Sequence, residues 1–238
     1  MFSAIISGLS GLYSNLLKQR ASGSNIANIN TPGYRAVRAD ALAPGTGSDS
    51  PNVSLSQRTG AFLATNEPLD LAIEGNGFFK VMDDDANAAY MQTGRFHVDS
   101  EGYLATSEGL RVSPPVKVGG DIGEIHVDPD GSLTGMNSQT GQTEKLGRLQ
   151  LCQFPNPAGL SPLGGSKYAQ SAESGNPTWG APGTGGLGTI RSGGLSMSNV
   201  DLTTEIVKQT LAERGVEASV KSIRTSDEML GTILDMTE

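Results

Sequence analysis

The sequence predicts an α+β protein in which long N- and C-terminal α-helices pair as a coiled-coil-like stalk and an all-β domain fills the middle of the chain. Three observations carry this expectation. Apolar residues recur at three- and four-residue intervals near both ends, the period of one face of a helix. Between the ends, short runs of β-branched, aromatic and aliphatic residues are broken by Gly, Pro, Asn and Asp, which favour turns. The 32 glycines and 12 prolines are sparse in the terminal stretches and dense in the centre, so the same division appears in composition.

The first element is a helix. Phe2, Ile5, Leu9, Leu12 and Leu16 define its apolar stripe, and Gly23 and Ile26 resume that register beyond Gln19. Running to about Asn28, it would measure roughly 40 Å. Thr31-Pro32-Gly33 ends it, because the residue before a proline avoids helical backbone angles and glycine permits a turn. From Ala39 to Ser56 the chain is small, polar and proline-containing, which predicts a linker or extended loop.

Between Thr59 and Ser192 the runs LDLAI, GFFKVM, RFHV, YLAT, LRV, EIHV and GRLQLCQF read as strands of a compact antiparallel domain. The pattern Asp-x-x-Gly-x-Leu occurs at Asp99–Leu104 and again at Asp128–Leu133, which predicts the same glycine-assisted turn twice. A second loose stretch, Asn156 to Gly194, wraps the β domain or returns the chain toward the helices.

Ser198-Asn199 is the expected start of the last helix, and Val200 to Met236 holds few breakers. Its apolar residues form two stripes, Val200, Val207, Leu211, Ala218 and Met229 in one and Val216, Val220, Ile223, Leu230 and Leu234 in the other. Such a helix would be roughly 55 Å long, several times the usual length in globular domains, so it needs a long partner. Neither terminal helix can bury its stripe alone. Pairing with each other and with neighbouring copies would cover both. The expected assembly interface is therefore Ile5, Leu9, Leu12, Leu16 and Ile26 on the first helix and Val207, Leu211, Val220, Ile223, Leu230 and Leu234 on the second. The expected division of the chain is 1–36 as the N-terminal helix, 37–59 as linker, 60–195 as the β domain and 196–238 as the C-terminal helix.

Composition narrows the function classes. A 36% hydrophobic and 18% charged chain of 238 residues has enough apolar material for a core, which argues against wholesale disorder. Its net charge of -8 opposes nucleic-acid binding, because phosphate recognition needs clustered Lys and Arg. The single cysteine, Cys152, leaves no intramolecular disulfide and no multi-cysteine metal site. The N-terminal segment lacks the pattern of a cleaved secretory signal, and no apolar run approaches the ~20 residues that cross a bilayer. Export without a cleaved signal and no membrane insertion are the corresponding expectations.

Motifs for chemistry are weak. His97 and His126 lie in strand-like runs without metal-ligand spacing, and neither a zinc-protease nor a nucleophile-elbow pattern occurs. Asp83-Asp84-Asp85 lacks the glycine and closing glutamate of a calcium loop and reads as a hairpin tip. The acid pairs Asp99 with Glu101 and Asp128 with Asp130 belong to the repeated turns rather than to a cleft. No catalytic residue, metal site or cofactor is expected.

Several blocks, in order along the chain, resemble the flagellar rod and hook protein family. They are SNIANINTPGYR at Ser24–Arg35, LDLAIEGNGFFKV at Leu69–Val81, TGRFHVDSEGYLATSEGLRV at Thr93–Val112, and SNVDLTTEIV with TSDEML near the C-terminus. The resemblance assigns Asn25, Asn28, Thr31, Pro32, Gly33 and Tyr34 to a family motif. It implies a basal-body rod subunit, distal or proximal, exported unfolded by the flagellar type III apparatus. Such a subunit stacks helically with itself and with other rod and hook proteins into a torque-bearing shaft crossing the periplasm, its ends forming the inner tube. Arg20 to Gly23 and Gly215-Val216 depart from the family pattern. A hook-type axial subunit, or a secreted β-rich adhesin or binding module, is the alternative reading.

Overall fold

The computed structural model describes residues 2–40, 52–56, 58–83, 87–120 and 122–235. Two helices at the ends of the chain and a large β region between them make the fold α+β, as the sequence predicts. The chain divides into two compact units. Met1–Ile29, Ala36–Ser56 and Val200–Glu238 form the first, and Asn30–Arg35 with Gln57–Asn199 the second.

In the first unit, helix α1 spans Phe2–Ala27 and helix α2 spans Leu202–Asp235. The start of α2 differs from the expected Ser198-Asn199. Asp201 caps it, its carboxylate accepting the Thr203 N–H at 3.2 Å and the Thr204 hydroxyl, while its carbonyl accepts the Glu205 N–H at 3.0 Å. A carboxylate there also faces the positive end of the helix dipole.

The two helices run antiparallel, because contacts climb one as they descend the other. A Cβ built on Gly8 would lie 2.8 Å from Ile223 Cγ1, one on Gly11 3.2 Å from Ser219 Oγ, and one on Gly215 2.6 Å from Asn15 Cγ, while Ser22 bonds Glu205. Small residues let the backbones approach to distances that a row of leucines would forbid. The stretch expected as a linker contributes an antiparallel strand pair to this unit, Val37–Asp40 against Asn52–Leu55; residues 41–51 of it lie outside the described set.

The second unit is built on antiparallel sheets. Among the described residues the largest has nine strands, in the spatial order Ser161–Gly164, Lys167–Ala169, Ala88–Met91, Phe79–Met82, Arg111–Ser113, Leu104–Thr106, Thr93–Val98, Asp70–Glu74 and Thr189–Ser192. A three-stranded meander, Ile122–Val127, Ser132–Asn137 and Thr143–Arg148, adds a smaller sheet. The core gathers Leu71, Ile73, Phe79, Val81, Phe96, Leu104, Val112, Leu133, Leu149, Leu151 and Ile190, all nearly excluded from water. A second aromatic group joins Phe78, Tyr90, Phe154 and Tyr168 edge to face, with Tyr90 and Phe154 ring centres 4.8 Å apart.

The two Asp-x-x-Gly-x-Leu repeats fold alike. Gly102 donates to the Asp99 carbonyl at 3.0 Å and Gly131 to the Asp128 carbonyl at 2.9 Å, with φ of 86° and 85° at the two glycines. Each turn links strands that pair, so the sequence repeat is a repeat of hairpin geometry.

Candidate assembly surface

The face that α1 and α2 turn toward each other is small and polar. On α1 the shielded positions include Gly8, Ser22 and Asn25, and on α2 they include Glu205, Ala212 and Ser226. Ser22 Oγ lies 2.7 Å from the Glu205 carbonyl and 2.9 Å from its Oε2, and Lys208 Nζ donates to Oε1 at 2.7 Å. Burial by itself would raise the Glu205 pKa; the hydrogen bonds from Lys208, Asn25 and Ser22, with the Lys208 charge, outweigh it and hold the carboxyl below its ordinary range. The buried acid is thus fully ionised near neutral pH and fastens one helix to the other.

Asn25 has a further task. Its amide nitrogen donates to the Val37 carbonyl at 2.9 Å and its Oδ1 accepts the Val37 N–H at 2.8 Å, so one side chain completes the backbone pairing of the strand that follows. Only an amide carries donor and acceptor at that spacing.

Many of the large apolar side chains point away from this face. Ile6, Leu9, Tyr13 and Leu16 form an exposed seam along α1, with Leu9 59% exposed. At ~100° per residue this seam lies on the opposite side of α1 from Gly8, Gly11, Asn15 and Ser22. On α2, Leu202, Ile206, Val207, Leu211, Val220 and Met229 are exposed, Leu211 by 65%.

The residues expected at the interface therefore separate into groups. Leu9, Leu16, Val207, Leu211 and Val220 face solvent, while Ile5, Leu12 and Ile26 are half-buried. Ile223 is the member that packs inside the pair, against Gly8. Leu230 and Leu234 belong to the helical backbone of α2, and their side chains lie outside the described set. Ile6 and Tyr13 were not among the expected residues, although their spacing with Leu9 and Leu16 is helical. The small-residue seam was missed because periodicity was read from large apolar side chains alone.

The family-motif residues occupy the end of α1 and the turn after it. Asn28 closes the helix, its side-chain amide donating to the Ser24 carbonyl at 2.8 Å. Thr31 accepts the Tyr34 N–H at 3.3 Å, and the Pro32 carbonyl accepts the Ser166 hydroxyl at 2.6 Å. Gly33 has φ of 72°, donates to the Ser196 carbonyl at 2.7 Å, and leaves only 2.6 Å between a would-be Cβ and Thr93 Cγ2. The Tyr34 carbonyl accepts the Asn199 N–H at 3.4 Å. Position 33 is closed to any other residue both by its backbone angle and by space.

The acid pairs serve the turns. Hydrogen bonds from the Tyr103 and Glu101 amides and from Arg111 hold Asp99 below the usual carboxylate range, and Arg111 also reaches Glu101 at 2.9 Å. Asp130 accepts the Ser132 N–H and pairs with Arg148 at 3.1 Å. His97 and His126 are exposed strand residues, and Asp84 and Asp85 lie outside the described set.

Three family models match in chain order: "Flagella basal body rod protein" over residues 6–35, "Flagellar hook protein FlgE/F/G D1 domain" over 72–135 and "Flagellar basal body rod FlgEFG protein C-terminal" over 191–236. The flagellar basal-body rod protein FlgG of Bacillus subtilis is 33% identical over 99% of this chain and 99% of its own. The chain belongs to the flagellar basal-body rod protein family. The FlgG rod protein of Borreliella burgdorferi is 31% identical over 97% of both chains. The flagellar hook protein FlgE of Helicobacter pylori is 35% identical over 64% of this chain, yet that stretch is 21% of the hook protein. Rod relatives therefore match this chain end to end, and a hook relative matches it over a fraction of its own length. As a rod-family member the chain is a structural component of the flagellar basal body.

Proposed function

We propose that this rod-family chain builds the shaft by lateral packing of its terminal helices, polymerising helically with itself and meeting other rod and hook proteins above and below. The observation that carries the reading is the exposed apolar seam of Ile6, Leu9, Tyr13 and Leu16 on α1 together with Val207 and Leu211 on α2. Burying one such side chain contributes about 1.5–3 kcal/mol. A seam of this length on a lone subunit is an unfilled contact. The heptad-like spacing of Gly8, Gly11, Asn15 and Ser22 supports a coiled-coil-like stalk within each subunit.

Heterologous contacts that do not close into a ring extend as a helical filament, and torque is then shared over many modest contacts. Residues Ile5, Leu9, Leu12, Leu16, Ile26, Val207, Leu211, Val220, Leu230 and Leu234 are the proposed contributors to subunit contacts, with Ile223 serving the intramolecular pair. Export through the flagellar type III apparatus, without signal cleavage, and residence in the part of the shaft that crosses the periplasm complete the proposal. The β unit forms the outer layer, and no chemistry is assigned to it.

Leu9→Asp and Leu211→Asp test this reading. Both positions are exposed, so the monomer should keep its helical ellipticity and its unfolding midpoint, with stability changed by at most about 0.5 kcal/mol. Assembly into filaments and complementation of motility should be lost. Normal incorporation of both variants into basal bodies would overturn helix-driven polymerisation.

A further inference from the structure

Arg35, the last residue of the SNIANINTPGYR block, is only 5% exposed. Its Nε is buried without a hydrogen-bond partner, and among the described residues no carboxylate pairs with it. Its guanidinium carbon stands 5.8 Å from the centre of the Phe78 ring, a contact that offsets part of the cost of burying the charge. A buried charge without a counter-ion is otherwise strongly disfavoured.

Beside it is a cavity of about 170 Å³ lined by Arg35, Asn76, Gln92 and Gln153 together with Phe78, Phe154 and neighbouring prolines. Gln92 is held in place by its own bond to the Gly77 carbonyl at 3.1 Å. The lining thus combines one fixed cation, side-chain amides able to donate, and apolar walls that strengthen any charge interaction inside. The space is below the ~300–1,000 Å³ of drug-sized ligand sites and suits a group the size of an acidic side chain.

We propose that this cavity is a carboxylate socket, filled in the assembled shaft by an Asp or Glu side chain of a neighbouring copy. The Arg35 guanidinium lines the cavity and brings a planar cationic group, the kind that takes up a carboxylate, to its wall. The occupant follows from charge: each copy carries 25 acidic against 17 basic residues, so acidic side chains are the surplus available at copy-to-copy contacts. The choice of occupant rests on the polymer reading above, whereas the socket itself does not.

The test has two arms. In the first, the monomer is titrated with sodium acetate at constant ionic strength, against sodium chloride, and the Arg35 Nε–H resonance is followed by NMR. A saturable shift with acetate and not with chloride is expected; equal responses to both salts overturn the socket. In the second, Arg35→Met in the full chain should fold with an undiminished unfolding midpoint, since an apolar replacement removes the unpaired charge. Its filament elongation should fall by about tenfold or more, the loss of a charged hydrogen-bonded contact. Should Arg35→Met fail to fold, Arg35→Lys, which keeps the charge but not the fork, replaces it with the same expected loss. Elongation at the parental rate overturns occupancy by a neighbouring copy. If the parent never polymerises, the rod reading and this occupant fall together, and the acetate arm still decides the socket.

Discussion

Gly215 sits in the interior of α2, where glycine normally weakens a helix, so Gly215→Ala would be expected to stabilise the chain by about 1 kcal/mol if the position were open. It is not open. A Cβ there would lie 2.6 Å from both Cγ and Nδ2 of Asn15 and 2.7 Å from its Oδ1, closer than nonbonded atoms allow. The atoms met are the end of the Asn15 side chain, which must turn away at a cost of about 0.5–1.5 kcal/mol. The two effects oppose each other and largely cancel, leaving the variant within about 0.5 kcal/mol of the parent. Gly23→Ala is the control, because a Cβ at Gly23 meets nothing within 4 Å; it should gain about 1 kcal/mol. Denaturant unfolding followed by helical ellipticity measures both, and the double variant Asn15→Ala/Gly215→Ala should recover the gain that Gly23→Ala shows. If Gly215→Ala stabilises as much as Gly23→Ala, the close approach of the two helices is wrong and with it the small-residue seam.

Two further outcomes follow from buried groups. The folded-state pKa of Glu205 is depressed, so the stability it supplies is complete above the ordinary glutamate pKa of about 4.3 and disappears as pH falls through the lower folded value. Acid titration of helical ellipticity should show this loss in the parent and not in Glu205→Gln; identical acid profiles would refute the role of the buried carboxylate. Cys152 is fully buried and its thiol is pushed up to about 12, chiefly by burial, so a thiolate-directed reagent at pH near 8 should modify it only as fast as the β unit opens. Rapid labelling of the native protein would contradict its placement behind Phe78.

The inward and outward faces of the helices explain each other. Leucines between α1 and α2 would bind the pair more strongly, but they would hold the backbones further apart and leave the outer surface of a subunit polar. With glycine, serine, one ionised glutamate and Ile223 inside, Ile6, Leu9, Tyr13, Val207 and Leu211 are left exposed, where another chain can cover them. The helix pair is thereby specified by hydrogen bonds and close approach, and the proposed lattice by hydrophobic burial.

The sequence alone determined the two helices and the strands of the Thr59 to Phe154 stretch, but not the strands Val37–Asp40, Asn52–Leu55, Ser161–Gly164 and Lys167–Ala169, which lie in stretches that read as loops. Apolar period marks both helices, alternation and turn residues mark the strands, and the repeated Asp-x-x-Gly-x-Leu turns could be read directly, because these signals depend on neighbours a few residues away. The motif at Ser24–Arg35 was legible as a pattern, but not the bond from Asn25 to Val37 or the burial of Arg35 with its Nε unpartnered among the described residues. Those belong to the tertiary structure, as does the choice of which helix face turns inward. A stripe of Ile, Leu and Val shows that a face must leave water without showing what will cover it. Here glycine and serine, weak in any hydropathy pattern, decided the internal partner because the closest packing of two backbones requires the smallest side chains, and no count along the chain records which residues stand opposite one another.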